Sequence, residues 1–319
     1  MRVSIASPLL RLAAAPRNQE PADHHPHLSF PVRFLSPPRA SALQRYRRQM
    51  EQFHHGHHVR LRSRVHGTYL HADEDGHGVS LRQRRASMNT AWAVHLHEGQ
   101  NGQFLLLHCA AYGRYLAATD AEAPLGHRGL RVEQRNYNRP GVEPIVWQAM
   151  LSESEEEVYL RNAGGRRLRA NGKNWSTGAT VDNVDDLDNI SRKMLWVVEH
   201  IPAMDIIPHL PRPTWIPHLT FWSRLIMYVL QNADGAFIAH GSFMFRGRSV
   251  FRLRKELARK MRASVNVEAS DILMCLPTRD ARLFPLVVDL PSNSENLHIV
   301  VVGAGTPAEA DLRYVDVDA

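Results

Sequence analysis

AAYGRYLAAT, residues 110–119, decides how this chain folds. Gly113 stands three residues before Leu116 and five before Ala118, and the same spacing occurs twice more, as Gly67/Leu70/Ala72 and Gly165/Leu168/Ala170. A glycine that follows a strand accepts the positive φ of a tight turn, which a β-carbon would penalise. A leucine and an alanine two residues apart face the same side of the strand that follows. Each unit opens with an apolar strand, at 59–62, 104–107 and 158–161, and carries a later tryptophan, Trp92, Trp147 or Trp196. Recurrence at this period means one supersecondary unit used three times. Leu70, Leu116 and Leu168 are expected to meet in a shared core with the tryptophans as filling. Three short all-β units predict a closed barrel with a hairpin cap, a β-trefoil, because closure removes exposed strand edges.

Gly113-Arg114-Tyr115-Leu116-Ala117-Ala118 resembles the repeat signature of fascin-type actin-bundling trefoils. The wider pattern is similar to a plant family catalogued as domain of unknown function 569. The likeness rests on Met50-Glu51-Gln52-Phe53, Val59-Arg60-Leu61-Arg62-Ser63, residues 69–75 and Leu168-Arg169-Ala170-Asn171-Gly172. It extends to Leu283-Phe284-Pro285-Leu286 and His298-Ile299-Val300-Val301-Val302, which look like that family's second domain. The resemblance implies a fascin-like trefoil over 50–202 and assigns no activity.

Residues 203–222 hold Pro208, Pro211, Pro213 and Pro217 and read as a stiff, Pro-rich linker. Beyond it the period changes. Strands are expected at 224–230 and 242–246 around a turn at 231–235. Ser249 caps a helix to about Arg262, on which Val250, Leu253, Leu257 and Met261 form one apolar stripe. Further strands are expected at 272–276, 283–290 and 297–302. Two strands, a helix and more strands predict a ubiquitin-like β-grasp module over 223–303. The fold class is therefore mainly β with a smaller α+β part. Residues 304–319 read as a flexible tail.

The net charge of +7 lies mostly in residues 1–49, which hold eight arginines and two acids. Residues 50–202 balance 18 basic against 18 acidic residues. The body therefore lacks the charge expected of a nucleic-acid binder. Residues 1–49 read as a disordered basic tail, either transit-like or a non-native extension of the reading frame. Cys109 and Cys275 lie far apart, so no disulfide framework is expected, and a reducing compartment is the simpler reading. That places the chain in the cytoplasm, or in a plastid or mitochondrion if the first 49 residues are a transit peptide. No apolar run is long enough for a membrane span. Sequons at Asn174 and Asn189 matter only in a secreted chain.

Motifs for chemistry are sparse. His54-His55-Gly56-His57-His58 lacks a carboxylate or cysteine at defined spacing and reads as a loop rather than a metal centre. Asp73-Glu74-Asp75-Gly76 lacks the remaining ligands of a calcium loop and reads as a hairpin turn. No catalytic, cofactor or metal residue is nominated. Contact patches are expected at Arg82/Arg84/Arg85 and at Arg166/Arg167/Arg169, where Arg167 takes the place of Tyr69 and Tyr115. The basic face of the helix at 252–262 reads as solvated, or as a surface for an acidic partner or a membrane. These features predict a non-enzymatic binding protein, with actin as the candidate the fascin-like resemblance suggests. The alternatives are a lectin-like trefoil and a signalling adaptor acting through the β-grasp. Lectin-type trefoils often carry Gln two residues before the repeat tryptophan, where this chain has Thr90, Ile145 and Met194.

Overall fold

A computed structural model describes residues 52–99, 102–137, 141–172, 178–182, 191–206, 208–213, 222–232, 234–262, 268–279, 282–310, 312 and 314–319. The expected basic tail at 1–49 and the sequon asparagines Asn174 and Asn189 lie outside them.

Twelve strands form the first domain, four to each repeat. They are β1 His58–Ser63, β2 Tyr69–Ala72, β3 Val79–Arg82 and β4 Trp92–Gly99; β5 Gly102–Cys109, β6 Tyr115–Glu122, β7 Leu130–Arg135 and β8 Trp147–Leu151; β9 Val158–Asn162, β10 Arg167–Ala170, β11 Ala179–Asp182 and β12 Trp196–Ile201. The first and fourth strands of each repeat close a ring: β1 pairs β4, β4 pairs β5, β5 pairs β8, β8 pairs β9, β9 pairs β12, and β12 returns to β1. The second and third strands form three hairpins, which meet through Gly78–Glu133, Ser80–Gly178 and the β7–β11 ladder. This is the β-trefoil.

The repeat signature is a turn device. Gly67, Gly113 and Gly165 adopt φ of 63°, 65° and 88°. Before each turn a backbone amide reaches across it: Ser63 to the Thr68 carbonyl, Cys109 to Arg114 and Asn162 to Arg166, at 2.7, 2.7 and 2.8 Å. The third turn is one residue shorter than the others. Leu70, Leu116 and Leu168 are fully buried, and Ala72, Ala118 and Ala170 lie beside them in the same core. Trp92, Trp147 and Trp196 fill it and are likewise fully buried.

The second domain is a five-stranded sheet with the order β15-β14-β18-β16-β17, from β14 Ser223–Gln231, β15 Phe237–Arg246, β16 Ile272–Pro277, β17 Leu283–Pro285 and β18 Leu297–Gly303. The pairing of β14 with β18 is parallel. Helix α1, Val250–Met261, packs Val250, Leu253, Leu257 and Met261 onto one face of the sheet. Ser249 caps it by accepting the Arg252 amide at 3.3 Å. The architecture is ubiquitin-like, with two corrections to the expected strands. The second begins at Phe237 rather than 242, and the strand expected at 283–290 ends at Pro285, beyond which Leu286 and Leu290 stay in this domain's core while Val287 joins that of the trefoil.

The segment expected as a flexible tail is ordered by packing. It contains a short helix, α2 Pro307–Ala310, and β19 Tyr314–Val315, which pairs with β13 Ala203–Met204 just beyond the trefoil. Leu312 and Tyr314 cover the sheet face opposite α1 with Cys275 and Val302, and Val315 joins the trefoil core. The expected linker therefore begins with a strand. Further along it, Leu210 packs against both cores.

Candidate functional site

The two domains belong to one compact unit, and they meet at the repeat-one hairpin and at the turn between β5 and β6. The acidic turn at 73–76 is a hairpin turn whose carbonyls are used: Glu74 accepts the Ser292 amide at 2.7 Å, and Asp75 accepts the Asn293 side-chain amide at 2.9 Å. Arg114, buried on β6's approach, donates to the Gly76 carbonyl at 2.5 Å and pairs with Glu295. Arg248 reaches Glu74 at 3.3 Å. Arg224 is almost fully buried and donates to the carbonyls of Pro291 and Asn293 at 2.6 and 2.5 Å, which fixes the connecting segment. Burial, with the like charge of Arg248 nearby, pushes its pKa down to about 10. Gly113 faces Leu276 so closely that a β-carbon there would stand 2.7 Å from its Cδ1.

The histidine tract is the turn that leads into β1, with His54 and His57 exposed and His55 and His58 engaged by neighbouring groups. His55 accepts the Leu96 amide at 3.1 Å, His58 packs beside Phe284, and His95 stacks on His108. His95 and the Tyr115 hydroxyl are 3.0 Å apart. His55 and His95, with Leu96, His97, Glu98 and Arg279, line an open cavity of about 250 Å³. Arg279 donates to His97 Nδ1 at 2.9 Å, and burial followed by that cation holds the imidazole's pKa below its usual value. Among the described residues no group of three histidine, cysteine, aspartate or glutamate side chains could hold a metal ion.

The six arginines of the expected contact patches are scattered in role. Arg82 stands 3.8 Å from Asp73, and Arg84 is exposed. Arg85 reaches Glu199 at 3.1 Å and donates to the Ala319 carbonyl. Arg166 binds the Thr119 carbonyl at 2.9 Å and Asp120 at 2.5 Å, at the edge of an open groove with His127, Leu130 and Asp182. Arg169 meets Asn171 at 3.1 Å and Asp182 at 3.7 Å. Arg167 is buried and stacks on the Tyr159 ring, 4.9 Å from its centroid, so its cation is held by a π face rather than by a carboxylate. Most of these guanidinium groups are thus engaged within the chain.

A different surface stands open. Strand β15 is ten residues long, lies at the edge of its sheet and pairs with β14 alone among the described strands. Phe243 and Phe245 point to α1 and are buried, while Phe237, Ile238 and Met244 are exposed at 75%, 52% and 60%. Phe237 lay outside the strand read from sequence because Gly241 interrupts the alternation; the signal was the apolar Phe-Ile pair after the turn glycine Gly235.

Nucleophile chemistry has little support in these side chains. Burial pushes the Cys109 and Cys275 thiols up to about 11 and about 12, which leaves both protonated at neutral pH.

Residues 50–198 match the model of the DUF569 β-trefoil domain, and residues 222–302 match that of the DUF569-associated ubiquitin-like domain. The chain belongs to the DUF569 family. No curated protein matches this DUF569 chain. Among solved structures it is similar to a ricin B-like lectin from Macrolepiota procera in complex with lactose, at 16% identity over 46% of this chain and 96% of that one, TM-score 0.37. It is also similar to the SDF2-like protein from Arabidopsis thaliana, at 13% identity over 46% and 93%, TM-score 0.40. A Caenorhabditis elegans protein of unknown function gives 17% identity over 46% and 96%, TM-score 0.38.

Proposed function

We propose that this DUF569 protein is a non-enzymatic interaction protein in which the trefoil is the scaffold and the ubiquitin-like domain presents the binding edge. The observation that carries this reading is strand β15, with a free outer edge among the described residues and three exposed large apolar side chains. An uncovered edge is a template for another chain's backbone. Engagement of most patch arginines within the trefoil supports placing the contact on the second domain rather than on a trefoil face that grips an acidic actin filament. Sugar binding has less support: Thr90, Ile145 and Met194, which stand where lectin-type repeats often carry Gln, are buried in the core.

Proximity labelling in the native tissue tests the reading. The chain carrying Phe237→Lys and Ile238→Lys should lose the neighbours that the unaltered chain labels. An unchanged set of neighbours would overturn it. Co-sedimentation with actin filaments tests the trefoil alternative separately; pelleting that survives the same two substitutions would favour it.

A further inference from the structure

We infer that the outer edge of β15 takes an extended acidic peptide segment of a partner protein, added as a sixth strand. The inference rests on the reading of the ubiquitin-like domain as the binding module.

Charge around the edge selects the occupant. The stretch 237–262 holds eight basic residues and a single acid, Glu256, which Arg259 pairs on the helix. On the α1 side of the strand, Lys260 lies over the Phe243 ring, with its ammonium 5.9 Å from the centroid. On the opposite side, Arg246 ends the strand beside Met244 and is exposed. A segment laid along β15 places alternate side chains on the two faces, so each face offers it one cation at the same end. The other end of the strand offers Phe237 and Ile238, next to the turn acid Asp234. The partner segment is therefore acidic where it passes Arg246 and Lys260 and apolar where it passes Phe237 and Ile238. Main-chain pairing supplies the affinity, and the charged end sets register and selectivity.

The edge is guarded only in part, by a register shift against β14 beside Phe237 and by the charge of Arg246 at the other end. It has no proline and no inward-pointing charge, and at ten residues it is longer than the usual five or six.

Fluorescence anisotropy with two labelled ten-residue peptides tests this on the full chain. Both alternate Val and Ile over five residues; one then carries five Glu, the other five Ser. The acidic peptide should bind more tightly. Its affinity should fall about tenfold in the Lys260→Glu, Arg246→Glu double variant and with added salt. Hydrogen exchange read in parallel should show the outward amides of β15 becoming protected by the acidic peptide alone. Equal binding of both peptides would overturn the charge selection and leave the binding edge standing. Failure of both peptides to protect β15 would overturn both readings. Outward amides already protected in the monomer, or protected as protein concentration rises, would assign the edge to this chain or to a second copy and overturn the proposal.

Discussion

The indole Nε1 of Trp147 donates to the carbonyl oxygen of Leu116 at 2.9 Å, deep in the trefoil core. The same bond recurs from Trp92 to Leu70 and from Trp196 to Leu168, each at 3.1 Å. The tryptophan that opens each repeat's fourth strand thus satisfies the carbonyl of the leucine behind each signature glycine. Burying a backbone carbonyl without a partner is costly, so the indole does more than fill volume. Trp147→Phe should cost about 2–4 kcal/mol, from the lost bond together with the space left by the smaller ring. Equivalent changes at Trp92 and Trp196 should cost similar amounts. Urea unfolding followed by circular dichroism checks this; a loss well under 1 kcal/mol at any of the three would show that the threefold bond carries little stability.

Gly67 and Gly113 occupy equivalent turns with nearly the same φ, but their surroundings differ. A β-carbon on Gly67 meets nothing within 4 Å, whereas one on Gly113 would press on Leu276 of the ubiquitin-like domain. Gly67→Ala should therefore cost only the left-handed backbone penalty, about 1 kcal/mol. Gly113→Ala should cost that plus about 1–2 kcal/mol for displacing Leu276. The difference in unfolding free energy between the two variants reads the steric coupling of the domains; equal values would mean Leu276 yields without cost.

The trefoil was legible because its turn chemistry is written in side chains. Gly113 needs positive φ, Leu116 and Ala118 must share a face, and the pattern repeats. Helix α1 was legible from its apolar stripe and from Ser249. The domain contact was not, because Glu74 and Asp75 dock Ser292 and Asn293 through backbone carbonyls, which every residue carries. Residues 314–315 were not legible either: a two-residue strand that pairs with 203–204 has too few positions to show a period. At Arg167 the sequence marked the departure from Tyr69 and Tyr115 but not the Tyr159 ring that receives it. The open edge of β15 depends on which strands lie beside it, a property of topology that the strand's own residues do not encode.

Glu199 makes stability depend on acid. Burial alone would raise its pKa, but hydrogen bonds from Arg62 at 2.7 Å and Arg85 at 3.1 Å outweigh that and hold it below its ordinary 4.5. A carboxylate with a depressed folded-state pKa stabilises above its unfolded value, and that contribution disappears as pH falls through the folded value. Between pH 6 and pH 3 the unaltered chain should therefore lose more stability than Glu199→Gln, by about 1 kcal/mol for a partly solvated cluster. Thermal melts across that range check it; parallel pH profiles would remove Glu199 from the account.

Arg60 holds the far end of the chain against the trefoil. It is fully buried in β1, and it donates to the carbonyls of Arg85 at 3.1 Å, Val317 at 2.7 Å and Ala319 at 3.2 Å. Three carbonyls on one guanidinium suit a planar, five-donor group, which an ammonium cannot reproduce. Arg60→Met keeps much of the buried volume and removes every donor, so those acceptors lose their partner. The expected loss is about 2–3 kcal/mol. Because an aliphatic replacement can offset the burial of a charge, the sharper readout is local. Amide exchange in residues 314–319 should accelerate in Arg60→Met and less so in Arg60→Lys, while the amides of α1 stay as protected as before. Unchanged exchange at 314–319 in the methionine variant would show that the β13–β19 pairing and the burial of Tyr314 hold the segment without Arg60.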